Sequence, residues 1–285
     1  MKRKQILFLP LLLLLLLGLG LVAYPIVSSY YTERHQSQVH TQYQEVVEKA
    51  DGKELDTARA EAEAYNELLA SGATAAELDT LDYDSLLNLA GNGIMGYIEI
   101  PAIDVLLPIC HGVGEDSLER GAGHMPTTSL PIGGRGTHTV ISAHSGMATA
   151  RMFTDLEQLE AGDVFYLHVL NEALSYEVDQ ILVVKPYQID ALKIDRGQDY
   201  VTLITCTPYG VNSHRLLVRG HRIKPEAEEN ASNEIASLQA EPKQSTWMDK
   251  YWEGIRDGLI LFLIVIPAWL AIMLLVKKRR GRKQP

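Results

Sequence analysis

Cys206 closes a run of strand-forming residues, Tyr200-Val201-Thr202-Leu203-Ile204-Thr205, and nine residues later Arg215 opens a second run, Leu216-Leu217-Val218. The residues between them, Thr207-Pro208-Tyr209-Gly210-Val211-Asn212-Ser213-His214, are rich in turn formers. If that loop pairs the two strands, a thiol and a guanidinium meet at one rim of a sheet. A fixed positive charge favours the thiolate, the form of cysteine that attacks a carbonyl carbon. Arg215 stays charged at any working pH, so it also suits the oxyanion that such an attack creates.

Acyl transfer needs a proton partner as well, and histidine titrates in the right range. The chain has nine. His35 and His40 fall in a helical stretch, and His168 alternates within a strand. His144 directly follows the β-like run Thr139-Val140-Ile141-Ser142-Ala143 and precedes Ser145-Gly146, so it too stands at a strand end. It is the first choice from spacing, and His124, in Gly121-Ala122-Gly123-His124, is the second.

The elements that must carry these groups are mostly strands. Alternating or short apolar runs occur at Met95 to Ile100, Val105 to Ile109, His138 to Ser142, Val164 to Val169, Leu174 to Val178, Ile181 to Val184, Val201 to Thr205 and Arg215 to Val218. Gly, Pro, Asn and Asp separate them at short intervals, with Asn171-Glu172 as a hairpin turn. That pattern predicts a closed or nearly closed all-β domain. One helix is expected within it, Ala148 to Glu160, because Met152, Phe153, Leu156 and Leu159 have helical spacing. Before the strands, Tyr30 to about Ser71 is rich in helix formers broken at Asp51-Gly52, and reads as a solvated spacer. Residues 71–93 read as a linker.

The ends have a different character. Ile6 to Ala23 and Leu259 to Val276 are apolar runs of about 18 residues each, near the lower limit for a membrane-crossing helix. Basic residues flank both, Lys2, Arg3 and Lys4 before the first and six lysines and arginines after the second. Basic flanks stay on the cytoplasmic side, which predicts both termini inside and everything between them outside the cell. A cleaved signal peptide competes for the first run, since Gly18, Gly20 and Ala23 are compatible with cleavage. The two basic ends hold no acid, so the formal charge of −10 understates how acidic the middle is. Such a middle does not suit nucleic acid as a partner.

The stretch from Thr202-Leu203-Ile204-Thr205-Cys206 through Thr207-Pro208-Tyr209-Gly210-Val211-Asn212-Ser213-His214 to Arg215-Leu216-Leu217-Val218-Arg219-Gly220 resembles the signature of the sortases, in their class C or pilin-polymerising branch. Gly96-Tyr97-Ile98-Glu99-Ile100-Pro101, Gly121 to His124, Ser142-Ala143-His144-Ser145-Gly146 and Phe153-Thr154-Asp155-Leu156 extend the likeness over about residues 90–224. The resemblance implies a mainly β fold, the eight-stranded sortase β-barrel, with an N-terminal helical extension and a transmembrane helix at each end. Segments would run 1–27 (first span), 28–92 (spacer and linker), 93–224 (catalytic barrel), 225–257 (polar tether) and 258–285 (second span and basic tail). Cys206 would be the nucleophile, His144 the general acid and Arg215 the group that positions substrate and holds the oxyanion. The implied substrate is a surface protein with a Leu-Pro-x-Thr-Gly-like sorting signal, cut between Thr and Gly and joined to an amine. In class C that amine is a pilin lysine. The implied host is a Gram-positive bacterium, and neither a metal nor an organic cofactor is required. The partners are therefore pilins or other surface proteins, and the membrane.

Two departures from the family pattern stand out. Class C members carry an Asp-Pro-aromatic lid motif before the barrel, but no proline occurs between Pro25 and Pro101. That leaves an open site or a weak cover from residues 71–92, with Asp82-Tyr83 as a remnant. The other is Cys110, in Pro108-Ile109-Cys110-His111-Gly112, read as a small buried residue. Other readings use the same residues. A cysteine hydrolase would let water resolve the acyl-enzyme. A binding module would join Cys110 to Cys206 in a disulfide. Zinc held by Cys110, His111, Cys206 and His144 lacks the paired spacing of structural sites.

Overall fold

The computed structural model describes residues 39–223 apart from 79, 148 and 149, together with scattered positions near the ends (16–18, 20, 23–24, 27–28, 252, 254–256, 258 and 260). The chain divides into two compact units, Met1–Val22 with Ser245–Pro285, and Ala23–Gln244. Among the described residues no helix is long and apolar enough to cross a membrane. The two expected spans, 1–27 and 258–285, and the tether 225–257 lie largely outside the described residues.

Alternation drives the second unit. Eight strands form: β1 Ile94–Ile100, β2 Val105–His111, β3 Ala122–His124, β4 Thr137–Ser142, β5 Val164–Val169, β6 Glu172–Val184, β7 Asp199–Thr207 and β8 His214–Arg222. They close into a barrel in the order β1-β2-β3-β4-β7-β8-β6-β5. Closure removes exposed sheet edges. Every pairing is antiparallel except β2 with β3 and β4 with β7. The eight-stranded barrel is the expected one. The two runs expected at 174–178 and 181–184 are one strand, β6, and the turn before it is Leu170-Asn171, one residue earlier than expected. β3, three residues long, was not expected as a strand.

The β4–β7 pairing matters most for the site, and side chains suture it along its length. At its start the Asp199 carboxylate accepts from Gly134 N at 2.8 Å, Thr137 Oγ1 at 3.3 Å and Tyr176 Oη at 3.0 Å. Burial pushes that carboxyl up from its ordinary range. Midway, His138 Nε2 lies 2.7 Å from Thr202 Oγ1. At the end, the buried Thr205 hydroxyl donates to Ala143 O at 2.8 Å.

The helix expected over 148–160 does not form. Its described residues are turns followed by a single 3-10 turn, Leu156–Gln158. Met152 adopts φ 46°, and Phe153 N donates to His144 O at 2.9 Å rather than to a carbonyl within a helix. Met152, Phe153, Leu156 and Leu159 are all buried, so their spacing records burial and not helix.

The region before the barrel is not a solvated spacer. Helix α1, Gly52–Ala70, is capped by the Asp51 carboxylate on Glu54 N and buries Ala58, Ala62, Tyr65 and Asn66. These recur at helical spacing along one face, and the three apolar ones join the main core. Nor is 71–93 a free linker, since Leu78, Leu86 and Leu87 are buried in the same core. Asn66 fixes the helix to the barrel: its amide accepts from Leu130 N at 2.7 Å and donates to Leu130 O at 3.2 Å, both buried.

Asn66→Ala leaves the buried Leu130 N–H without a partner, whereas Leu130 O keeps Ile132 N at 2.8 Å and the Thr139 hydroxyl at 3.2 Å. The expected cost is about 2 kcal/mol, read as a lower urea midpoint with an unchanged slope. An unchanged midpoint would mean that α1 is not an integral part of the folded unit.

Candidate active site

The register of three strands places the residues singled out from the sequence. Cys206 is the direct cross-strand partner of Arg215 in the antiparallel β7–β8 pair, with Cα atoms about 5 Å apart. On the other side of β7, Ser142 pairs with Ile204 in the parallel β4–β7 ladder, and Ala143 N donates to Ile204 O at 3.1 Å. Two residues further along each parallel chain stand His144 and Cys206. The thiol position thus faces Arg215 on β8, and on its other side the chain leaves β4 toward His144.

Alternation also assigns the face. Leu203, Leu216, Val218 and Ile141 belong to the main core, whereas Val140, Ile204 and Leu217 form a second cluster with Leu182, Val184, Ala191 and Leu192. Cys206 shares the parity of Ile204, Arg215 that of Leu217, and Ser142 that of Val140. The thiol and guanidinium positions thus share the face opposite the barrel interior. The Arg215 guanidinium is steadied by its own loop, with Nη1 donating to Asn212 O at 3.2 Å and His214 O at 3.0 Å. The His144 loop is held from below, where Gly146 N donates to Thr154 Oγ1 at 3.0 Å.

The two cysteines are both free, which rules out the disulfide of the binding-module reading. Cys110 is 1% exposed, packed with Tyr43, Val47, Ile94 and Tyr97, and burial pushes its thiol pKa up. A buried thiol held protonated is a poor nucleophile. Cys206 is partly exposed at the strand end.

His124, the second choice from spacing, is structural. It is fully buried, with Nε2 2.9 Å from Ser129 O and Nδ1 2.8 Å from the Tyr83 hydroxyl. The Nε2-protonated tautomer satisfies both, donating to Ser129 O and accepting from Tyr83. Tyr83 Oη in turn accepts from Gly112 N at 3.1 Å, and the nearby His111 ring spans the Leu86 and Gly93 carbonyls at 2.7 and 3.1 Å. So the Asp82-Tyr83 segment is fastened to β2 and β3. Among the described residues, the hydrogen bonds and ring contacts of Tyr83 go there and to Tyr65 of α1, and not to Cys206, His144 or Arg215.

Sequence reasoning missed several groups that shape the site. The Thr205 hydroxyl tie to Ala143 leaves no pattern in the sequence. Neither does the Arg151 guanidinium, which anchors the His144 loop to Ile103 O at 3.1 Å and to the Asp104 carboxylate at 3.3 Å. Both join segments far apart in the chain.

Known proteins place this geometry in a family. A family model described as the sortase domain matches residues 98–223. The crystal structure of sortase C1 from Streptococcus agalactiae superposes with a TM-score of 0.63 at 43% identity, covering 66% of this chain and 98% of that one. The chain belongs to the class C sortases. Sortase C of Clostridium perfringens, solved with the C-terminal cell wall sorting motif, is 43% identical with a TM-score of 0.58, over 66% of this chain and 99% of that one. Sortase A of Bacillus anthracis is 25% identical over 229 residues, 80% of this chain and 99% of that protein. Like its relatives, this class C sortase of a Gram-positive bacterium is a cysteine transpeptidase.

Burial lowers the His124 pKa to about 4, against about 6.5 in the unfolded chain. Between these values the unfolded state takes up a proton that the native state refuses, so stability falls as pH drops from about 6.5 to 4, by up to about 3 kcal/mol. His138, also lowered by burial, adds in the same direction. Urea titrations across this window should show a shallower pH dependence for His124→Gln than for the unaltered protein. Equal slopes would contradict a neutral, buried His124.

Proposed function

We propose that this sortase cleaves a Leu-Pro-x-Thr-Gly-like sorting signal between Thr and Gly and passes the acyl group to an amine, a pilin lysine, so as to polymerise pili. The observation that supports this reading is the register of β4, β7 and β8, which pairs Cys206 with Arg215 and sets the end of β4, two residues before His144, beside Ile204, two residues before Cys206. In it Cys206 attacks the Thr carbonyl and Arg215 holds the sorting peptide and the developing oxyanion. His144 gives its proton to the departing glycine nitrogen. The resulting thioester keeps the energy of the broken peptide bond until the acceptor amine attacks, which is the form of energy storage open to an enzyme working where ATP is absent.

The catalytic barrel, residues 93–224 in this reading, lies outside the cell, tethered at both ends with cytoplasmic termini. Class C likeness supports the pilin acceptor, and the basic flanks of the two apolar runs support the orientation. Substrates bound to the same membrane would meet the site at a raised effective concentration.

Incubating the protein with a sorting-signal peptide, with and without a pilin domain, should give a peptide–pilin isopeptide product that depends on an acceptor lysine. Release of the cleaved acid at the same rate whatever the acceptor would instead identify a hydrolase. Arg215→Lys should lower kcat/KM by about 100-fold or more, because an ammonium cannot reproduce the two-pronged donor of a guanidinium. A near-normal rate in that variant would remove Arg215 from the oxyanion role.

A further inference from the structure

Gly146 stands two residues beyond His144 with φ 77°, in the left-handed region. A Cβ there would lie 3.1, 3.4 and 3.5 Å from Cε2, Cδ2 and Cζ of the Tyr209 ring. The ring occupies the place where a side chain would stand. Tyr209 belongs to the loop that joins the thiol strand to the guanidinium strand, three residues past Cys206 and six before Arg215. It is 36% exposed, so part of its ring is covered.

We propose that Tyr209 is a positioning residue for His144: its ring rests on Gly146 and holds the His144 loop against the Cys206 strand. The hydrogen bonds made from Gly146, His144 and Arg151 point elsewhere. Gly146 N and His144 O are tied to Thr154 and Phe153 within the loop itself, and Arg151 fastens it to the β1–β2 turn. The ladder and the Thr205 hydroxyl fix Ala143 to β7, one residue short of the imidazole. The ring on Gly146 reaches the loop from the β7 side beyond that point. It brackets His144 between two ties to the strand that carries the sulfur.

The consequence falls on one step of the reaction, and rests on the site reading proposed above. As the Cys206 sulfur bonds to the Thr carbonyl carbon, the C–N bond to glycine breaks and its nitrogen takes the proton carried by His144. Without the ring the imidazole strays from that nitrogen, whereas thiol and peptide binding are untouched. An amide needs the proton because an amide anion is a very poor leaving group. A peptide with an ester in place of the Thr–Gly amide needs it far less.

The test compares amide and ester sorting peptides on full-length Tyr209→Ala, Tyr209→Phe, Gly146→Ala and His144→Ala. Tyr209→Ala should lose roughly 10- to 100-fold in kcat for the amide, with KM and melting temperature close to those of the parent and much less loss for the ester. Tyr209→Phe, which keeps the ring, should recover most of the amide rate. Gly146→Ala, which pushes the ring away from the other side, should show the same amide-selective loss. Equal losses for amide and ester in Tyr209→Ala, or a Tyr209→Phe as impaired as Tyr209→Ala, would overturn the proposal while leaving the site reading intact if His144→Ala remains amide-selective. If His144→Ala itself treats the two peptides alike, the general-acid role fails, and the proposal with it.

Discussion

The parallel pairing of β4 with β7 is the constraint on which the site depends. Parallel neighbours cannot be joined by a tight turn, and here the connection runs through β5, β6 and two long loops. Nothing local sets the register. It is set instead by side chains spread along the pair: Asp199 binding Thr137 and Gly134 at the start, His138 meeting Thr202, and Thr205 reaching Ala143 at the end. A slip of one residue would turn Cys206 toward the barrel interior. The antiparallel β7–β8 hairpin then fixes Arg215 opposite the thiol at much lower entropic cost, since its loop is short.

The His138–Thr202 and Thr205–Ala143 ties are polar and buried, which gives them their specificity. Thr202 and Thr205 sit at 1% and 4% exposure within strands that are otherwise apolar. Each is satisfied only in the native register, and a slipped pairing would strand it. The same logic holds the N-terminal region in place. Asn66 copies a strand's donor and acceptor against Leu130, and Tyr83 completes the hydrogen bonds of the buried His124. The barrel and the region that precedes it are thus one hydrogen-bonded body from α1 onward, and the segment ahead of β1 closes over β2 and β3.

What was legible in the sequence follows from period. Strands announce themselves by alternation, so β1, β2, β4, β5, β7 and β8 stood out, as did Cys206 and Arg215 at their ends. β3 did not, because Ala122-Gly123-His124 is too short to alternate and exists only through its neighbours. The residues Met152, Phe153, Leu156 and Leu159 misled because an irregular segment lying on a core can bury them at helical intervals. The docking of α1 was hidden by Ala58 and Ala62, since alanine serves equally as a helix former on the surface and as a small core residue. Spacing ranked His144 ahead of His124; burial of His124 speaks against the second choice, because an imidazole without access to solvent or substrate cannot exchange its proton with either. The class C identity came from the residues around Cys206, while the Asp-Pro-aromatic motif expected with it could not be found, since no proline occurs between Pro25 and Pro101.

The most direct measurement is the site of acylation. The protein is mixed with a sorting-signal peptide, quenched in acid and digested, and the peptides are mapped by mass spectrometry. The account predicts a thioester-linked acyl fragment ending in threonine on the peptide that contains Cys206, none on the peptide that contains Cys110, and loss of the adduct in Cys206→Ala. An acyl group on Cys110, or continued turnover by Cys206→Ala, would contradict it.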